Sequence, residues 1–77
     1  MLSAYVLILT EVGKVAHVAQ ALSDLDGVQV AEDITSPYDI IARVQASSLD
    51  QLCRLVASRI QVVDGVTRTL TCTVIRR

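Results

Sequence analysis

Two Asp-Gly dipeptides, each set between a helical pattern and a β-rich run, constrain the fold of this chain most strongly. Leu25-Asp26-Gly27-Val28 in the first half is matched by Val63-Asp64-Gly65-Val66 in the second half. A glycine that follows a helix suits a position with positive φ, and it ends the helix there. Asp-Gly is also a common turn dipeptide in unrelated proteins. The identical placement of the two dipeptides favours a duplicated strand–helix–strand unit.

Hydrophobic patterning assigns a strand, a helix and a second strand to each unit. Ser36-Pro37 separates the two units, because proline cannot donate to a central β-ladder. Ser48 and Gln51 fit a capping box at the start of the second helix. The predicted strands are β1 (4–10), β2 (28–35), β3 (38–45) and β4 (66–75), and the predicted helices are α1 (14–26) and α2 (49–64).

These elements predict how the sheet and the helices are layered. Two right-handed β–α–β crossovers place both helices on one face of an antiparallel sheet. We therefore predict an α+β fold, a ferredoxin-like βαββαβ sandwich with β1 and β3 at the centre of the sheet. In α2, helical spacing predicts a buried stripe that consists of Leu49, Leu52, Cys53, Val56 and Ile60.

The sheet face that the helices leave uncovered is predicted to be apolar too. In β1, Val6 and Ile8 alternate with Tyr5, Leu7 and Leu9, whereas a solvated face would alternate with polar residues. In β4 a row of threonines is expected to line one edge of this uncovered face with hydroxyls. The other side of β4 carries Leu70, Cys72 and Val74. Exposed apolar surfaces of this kind are usually covered by another subunit, so we predict a dimer with its sheets face to face, a dimeric α/β barrel.

Composition excludes several other classes of function. The chain has seven Lys and Arg residues against eight Asp and Glu residues, a formal net charge of −1, and no basic stripe. Phosphate neutralisation supplies most of the affinity for nucleic acids, so neither DNA nor RNA is an expected partner. The longest apolar run, Ala4–Leu9, is far shorter than the ~20 residues of a membrane helix. We expect a cytoplasmic protein that does not associate with membranes.

The residues that support catalysis or metal binding are few and scattered. His17 is the single histidine, and neither Cys53 nor Cys72 has a second ligand at metal-binding spacing. Both cysteines occupy apolar positions and are expected in the core. Glu32 and Asp33 are adjacent in a strand, so their carboxylates point to opposite faces. The sequence therefore predicts no metal, no cofactor and no enzyme activity.

One set of polar residues fits a zwitterionic ligand. The hydroxyls of Thr69 and Thr71 are suited to donate to a carboxylate, and Asp39 is suited to accept from an ammonium group. Threonine is also a favoured strand residue, and Asp39 also fits a solvated position at the start of a strand. From these residues alone, both interpretations stay open.

Three segments of the chain resemble one protein family. They are Ala4–Lys14, Ile34–Ile41 and Asp64–Thr71, in which Tyr38-Asp39 and the Gly-Val-x-x-Thr-x-Thr start of β4 stand out. In this order they resemble the effector-binding domain of the Lrp/AsnC transcriptional regulators, also called the RAM domain. The resemblance spans nearly the whole chain and implies a single ligand-binding domain over residues 1–77.

The resemblance also implies an assembly and a ligand. Family members have the βαββαβ fold, pair through their sheets, and often assemble further into rings such as octamers or decamers. They bind amino acids between neighbouring dimers, through the β2–β3 loop and nearby strands. On this sequence, the candidate ligand-binding residues are Ser36, Tyr38, Asp39, Thr69 and Thr71, with Ser36 where the family usually has glycine.

Full-length members of the family carry a DNA-reading helix-turn-helix before this domain, whereas this chain begins at β1. The resemblance therefore implies a stand-alone amino-acid-sensing module without direct DNA binding, and full-length Lrp/AsnC regulators are its expected protein partners. Two alternatives share the topology. One is a small dimeric α+β barrel enzyme of the monooxygenase or isomerase kind, which needs a large enclosed pocket. The other is an ACT-like allosteric module, which binds ligands of the same class.

Overall fold

The computed structural model describes residues 1–75 and contains the predicted order of strands and helices. Its elements are β1 (Leu2–Thr10), α1 (Val15–Ser23), β2 (Val28–Asp33), β3 (Ile40–Ala46), α2 (Leu49–Leu55), a π-helical segment (Val56–Ile60) and β4 (Val66–Thr73). The strands form an antiparallel sheet in the order β2-β3-β1-β4. The predicted ferredoxin-like βαββαβ fold, with β1 and β3 central, is therefore confirmed. Within the described residues, no helix is long and apolar enough to cross a membrane.

The hydrophobic core lies between the sheet and the helices. Ala4, Val6 and Ile8, one of the two alternating sets of β1, are fully buried. The rest of the buried cluster comes from the helices and β3, and consists of Val18, Leu22, Ile40, Ala42, Val44, Leu52, Val56 and Ile60. Burial of each large aliphatic side chain stabilises the fold by roughly 1.5–3 kcal/mol. The helices are held to one face of the sheet by these contacts, and the other face stays uncovered.

Both Asp-Gly turns depend on glycine. Gly27 and Gly65 have φ values of 92° and 98°, a region that residues with a Cβ rarely adopt. At Gly65, a Cβ atom would also lie 2.9 Å from the Cβ of Lys14. The positive φ values that the repeated dipeptide predicts are therefore present in both halves of the chain.

The second helix begins as predicted and ends differently. The Ser48 hydroxyl accepts a hydrogen bond from the backbone N–H of Gln51 at 3.2 Å, which confirms the predicted N-cap. From Val56 onward the backbone is π-helical, and the N–H of Gln61 donates to the carbonyl of Val56 at 2.8 Å. This five-residue hydrogen-bond span widens the last turn before the chain enters β4.

Two members of the stripe predicted for α2 are not buried. Leu49 is 61% exposed, and Cys53 is exposed as well, so the prediction was wrong for both. Leu52, Val56 and Ile60 are buried, at intervals of four residues along a single line. A short helix that meets a sheet along one line buries only that line, and residues that flank it face solvent.

Candidate functional site

The sheet face opposite the helices, here called the open face, is apolar at its centre. Paired residues on neighbouring strands share a face, and Leu7 of β1 lies between Ile41 of β3 and Leu70 of β4. Tyr5 is 38% exposed, and the Cζ atom of Arg43 lies 5.9 Å from the centroid of its ring, a cation–π contact. The strand pairings place on the open face Tyr5, Leu7, Leu9, Val30, Glu32, Ile41, Arg43, Arg68, Leu70 and Cys72.

The threonine row of β4 does not line the open face, which corrects the prediction. Thr69 pairs with Ile8 and Thr71 pairs with Val6, so both threonines lie on the helix side of the sheet. Cys72 shares the open face with Leu70 and is exposed, so its prediction as a core residue was also wrong. The physical reason is that β4 is an edge strand, where the helices cover the sheet incompletely and burial does not demand apolar residues.

The β2–β3 loop, residues 34–39, is fastened to the end of β1 through Asp39. Oδ2 of Asp39 accepts hydrogen bonds from the backbone N–H of Thr10 at 2.8 Å and from its hydroxyl at 3.1 Å. The backbone N–H of Asp39 donates to the carbonyl of Ile8 at 2.9 Å, and its carbonyl accepts from the N–H of Ile34 at 2.9 Å. Asp39 therefore holds the loop in place. Thr10 was not among the predicted site residues, because its only signal in the sequence is a hydroxyl group at the end of a strand.

Ser36 and Tyr38 lie within this loop. Ser36 is exposed, Tyr38 is half-buried, and the Ser36–Pro37 peptide bond is cis. Ser36 does not adopt a positive φ, so a serine carries no backbone strain at this position. The loop thus presents a hydroxyl, a phenol and the Asp39 carboxylate along one short stretch of chain.

Thr69 and Thr71 lie in β4, which is on the opposite side of β1 from β3 and the β2–β3 loop. Ile40, the neighbour of Asp39, and Thr69 both pair with Ile8, so their backbones are two strand spacings apart, about 9–10 Å. The hydroxyl of Thr69 accepts a hydrogen bond from Nε2 of Gln61 at 2.9 Å. A depression of about 380 Å³ beside it is lined by Gln61, Val66, Thr67, Arg68 and Thr69. One protomer therefore does not bring the predicted loop residues and the predicted threonines into one pocket.

A larger cleft lies at the opposite end of β3 from the loop, between the turn after α1 and the second helix. Its volume is about 680 Å³, and like the depression beside Thr69 it opens to solvent. It is lined by Asp24, Leu25, Asp26, Gly27, Gln45, Ala46, Gln51, Arg54, Leu55, Ser58 and Arg59. The cleft leaves no local motif in the sequence, because its residues come from three separate segments of the chain.

The groups that a reaction would need are dispersed over the molecule. Cys53 lies on the outside of α2, whereas Cys72 lies on the open face. Asp33 pairs with Ile40 and is on the helix side, whereas Glu32 is on the open face, as predicted from their adjacency. Within residues 1–75, no three His, Cys, Asp or Glu side chains are grouped closely enough to hold a metal ion.

The fold defines a class, namely small βαββαβ domains that have helices on one face of the sheet and an uncovered apolar surface on the other. The uncovered apolar face suits association, and the fastened polar loop suits contact with a small molecule. The chain belongs to the Lrp/AsnC ligand binding domain family, whose model matches residues 3–77. The resemblance seen in the sequence is confirmed by this match.

Solved structures with the same fold include regulators and a chain of similar length. TTHA0845 from Thermus thermophilus is 31% identical, with a TM-score of 0.94, and the alignment covers 100% of this chain and 96% of that one. AsnC from E. coli is 25% identical, with a TM-score of 0.92, covering 99% of this chain and 52% of AsnC. The transcriptional regulator NMB0573 from Neisseria meningitidis, solved as a complex with L-Met, is 14% identical, with a TM-score of 0.86, covering 97% and 50%. Among curated protein sequences, none matches significantly.

Proposed function

We propose that this chain is a regulatory module without enzyme activity, which binds an amino-acid effector and acts through the assembly of its subunits in the cytoplasm. The observation that carries the proposal is the match to the Lrp/AsnC ligand binding domain over residues 3–77. The complex of the Neisseria regulator with L-Met supports an amino acid as the class of effector.

The open face is the proposed dimer interface. Leu70, on this face, is 46% exposed in the protomer, and Val30 is 44% exposed. A contiguous patch of exposed apolar side chains is typical of an interaction surface, and a symmetric dimer covers the same patch on both subunits. Packing two sheets face to face buries both patches and completes a dimeric α/β barrel.

Charges at the edges of the open face favour one orientation of the dimer. β2, at one edge of the sheet, carries Glu32, and β4, at the other edge, carries Arg68. A twofold axis parallel to the strands stacks β2 of one protomer over β4 of its partner, so Glu32 approaches the partner's Arg68 at both edges. A twofold axis that lies between the sheets and runs across the strands would instead stack β2 over β2 and β4 over β4. Each edge of the dimer would then bring together charges of the same sign. We infer the first arrangement, because like charges in contact are unfavourable.

The proposed ligand site combines two subunits from neighbouring dimers. One subunit supplies the loop with Ser36, Tyr38 and Asp39, and another supplies Thr69 and Thr71 from the helix side of β4. The ammonium group of the ligand bonds to Asp39, and its carboxylate accepts from the threonine hydroxyls. The separation of the loop and the threonines within one protomer supports a shared site, since the two groups lie on different flanks of β1.

Further association into rings of dimers, such as octamers or decamers, is part of the same proposal. The chain spans about half the length of AsnC. Its proposed protein partners are full-length Lrp/AsnC regulators, with which it co-assembles through the open face. Direct DNA binding is not proposed, because the net charge of −1 offers no basic surface for phosphates.

A thermal-shift screen against the twenty amino acids tests the effector. A ligand that binds only the folded state stabilises it by about 2.7 kcal/mol at a hundredfold excess over Kd. For a domain of this size, that stabilisation raises Tm by about 10–20 °C. Succinate at the same concentration, which has carboxylates but no ammonium group, is the control. If none of the twenty raises Tm above the succinate control, the effector proposal is wrong.

No specific observation favours the enzyme alternative. A barrel enzyme needs an enclosed cavity for its substrate, and the cleft and the depression beside Thr69 both open to solvent. The ACT-like alternative shares the fold and the ligand class, but the family match favours the Lrp/AsnC type.

A further inference from the structure

The larger cleft, at the far end of the sheet from the β2–β3 loop, has the size and the chemistry of a ligand site. Its volume of about 680 Å³ lies within the range of roughly 300–1,000 Å³ that is usual for small-molecule sites. Half-buried Leu25 and Leu55 contribute apolar surface, and Gln45, Gln51 and Ser58 contribute hydrogen-bonding groups. The charged residues of the cleft form an acidic wall, with Asp24 and Asp26, and a basic wall, with Arg54 and Arg59.

The basic wall lies on the second helix. Arg54 of α2 and Arg59 of the π-helical segment both line the cleft, together with Gln51, Leu55 and Ser58. These five residues recur at the three- and four-residue intervals that place side chains on one face of a helix. π-turns within helices occur frequently at functional sites. The second helix therefore presents two guanidinium groups on one wall of the cleft.

The acidic wall lies at the end of α1. Asp24 is the C-cap residue of α1, and Asp26 follows in the turn. Carbonyl groups at a helix C-terminus carry partial negative charge, so carboxylates there are unfavourable for helix stability. No basic residue stands in the last turn of α1 to offset them. The wall thus combines two carboxylates with helix carbonyls, which suits an ammonium group.

The charged residues of the two walls do not form ion pairs with each other. Among residues 1–75, neither Asp26 nor Arg59 has an ion-pair partner within 4.0 Å. Arg54 pairs with Asp50 at 3.3 Å, but both side chains are 77% exposed, and such pairs are worth little. Arg54 is therefore free to exchange this partner for a ligand carboxylate.

Gly27 lines the cleft between the two walls. A Cβ atom at this position would lie 3.2 Å from the carbonyl oxygen of Gln45 and 3.2 Å from Cδ2 of Leu55. The glycine lets the turn approach β3 and the second helix closely without filling the space that they enclose.

We propose that this cleft is a second ligand site, which takes a zwitterionic small molecule. The ammonium group of the ligand contacts Asp24 and Asp26, and its carboxylate contacts Arg54 and Arg59. Five residues of β3 lie between Asp39 of the β2–β3 loop and Gln45 of the cleft, and the two ends are about 20 Å apart at the usual rise per residue. The site is therefore independent of the proposed effector site. Free amino acids and short peptides share this chemistry, and the experiment separates the two sources.

The test is a titration of the full, uniformly ¹⁵N-labelled chain, followed by backbone amide shifts. Glycine and L-leucine represent free amino acids, and L-alanyl-L-alanine represents short peptides. Acetate and methylammonium, each with a single charge, are the controls for the ligand. We expect saturable shifts at Gly27, Gln45 and Ser58 with at least one zwitterion, and none with the two controls.

Matched variants locate the binding. Arg59→Gln and Asp26→Asn are expected to weaken the cleft titration by about tenfold to a hundredfold, the usual effect of losing one charge-assisted hydrogen bond. Glu11→Gln, which removes an exposed carboxylate outside the cleft, is expected to leave it unchanged. The amide spectrum shows for each variant whether the fold is retained.

The outcomes separate this proposal from the proposed effector function. Saturable shifts confined to Thr10 and Asp39 overturn the cleft proposal and leave the effector site standing. Cleft shifts that acetate or methylammonium reproduces, or that persist undiminished in Arg59→Gln and Asp26→Asn, also overturn it. Cleft shifts that both variants weaken support it, and the probe that binds more tightly identifies the source.

Discussion

At the scale of single residues, the two carboxylate oxygens of Asp39 differ in their hydrogen bonding. Oδ2 accepts both hydrogen bonds from Thr10 and fastens the β2–β3 loop to β1. Among the described residues, no donor bonds to Oδ1, and an ionised carboxylate retains acceptor capacity on both oxygens. Asp39 can therefore position the loop and accept a hydrogen bond from the ammonium group of a ligand at the same time.

Asp39→Asn is expected to weaken binding of the amino acid that gives the largest thermal shift by about tenfold to a hundredfold, because a charge-assisted hydrogen bond is lost. Thr71→Val removes a neutral contact and is expected to cost less, roughly 0.5–1.5 kcal/mol. Thr10→Val is the matched control, since it weakens the fastening of the loop and leaves the carboxylate charge in place. Calorimetry measures the affinities, and circular dichroism checks the fold.

Two results would contradict this assignment. Unchanged affinity in folded Asp39→Asn and Thr71→Val would show that the ligand lies elsewhere. An equal loss of affinity in Thr10→Val and Asp39→Asn would show that Asp39 acts only by holding the loop.

At the scale of elements, β4 shows which property of a strand the sequence pattern does not predict, namely which of its two faces packs against the helices. Alternation along the strands was enough to separate the two faces of each strand, because successive side chains point to opposite sides. In β4 it separated Leu70 and Cys72 from Thr69 and Thr71, but did not tell which side faces the helices. A shift of register by one residue exchanges the two faces of a strand. Only the pairing of Leu7 with Leu70 decides the question.

The candidate site was predicted in part for a similar reason. Tyr38 and Asp39 stood out because their motif is local and resembles that of a family. Thr10 was missed because it lies 29 residues from Asp39 in the chain, and only the folded sheet brings the two together. The π-helical segment was missed because Leu52, Val56 and Ile60 recur every four residues through it, a spacing that a regular α-helix gives as well.

The start of α2 offers a direct test at this scale. Ser48→Ala removes the hydroxyl that caps the helix and is expected to lower the free energy of unfolding by about 0.5–2 kcal/mol. Ser47→Ala, one residue earlier and equally exposed, is the control and is expected to change it by less than about 0.5 kcal/mol. Urea unfolding measures both variants. Equal stability of the two would show that the bond from Gln51 to Ser48 contributes nothing to the fold.

At the scale of the whole molecule, the open face decides whether the protomer exists alone. A chain of 77 residues buries only about 60–65% of its surface on folding, so it has little stability to spare. Leaving Tyr5, Leu7 and Leu70 in water forgoes much of the hydrophobic stabilisation that the sheet can supply. Covering them in a dimer recovers this stabilisation, and also places Cys72 out of reach of solvent.

Leu70→Asp is therefore expected to convert the proposed dimer into a monomer of 8.3 kDa, because an unpaired charge buried at the interface costs several kcal/mol. In the parent, a chromogenic thiol reagent should modify Cys53 rapidly and Cys72 slowly, whereas in Leu70→Asp both thiols should react rapidly. Leu49→Asp is the matched control, since Leu49 is exposed on α2 outside the open face, and it should remain dimeric. Light scattering coupled to size exclusion measures the mass. A monomeric parent in which both thiols react at the same rate would refute the face-to-face dimer.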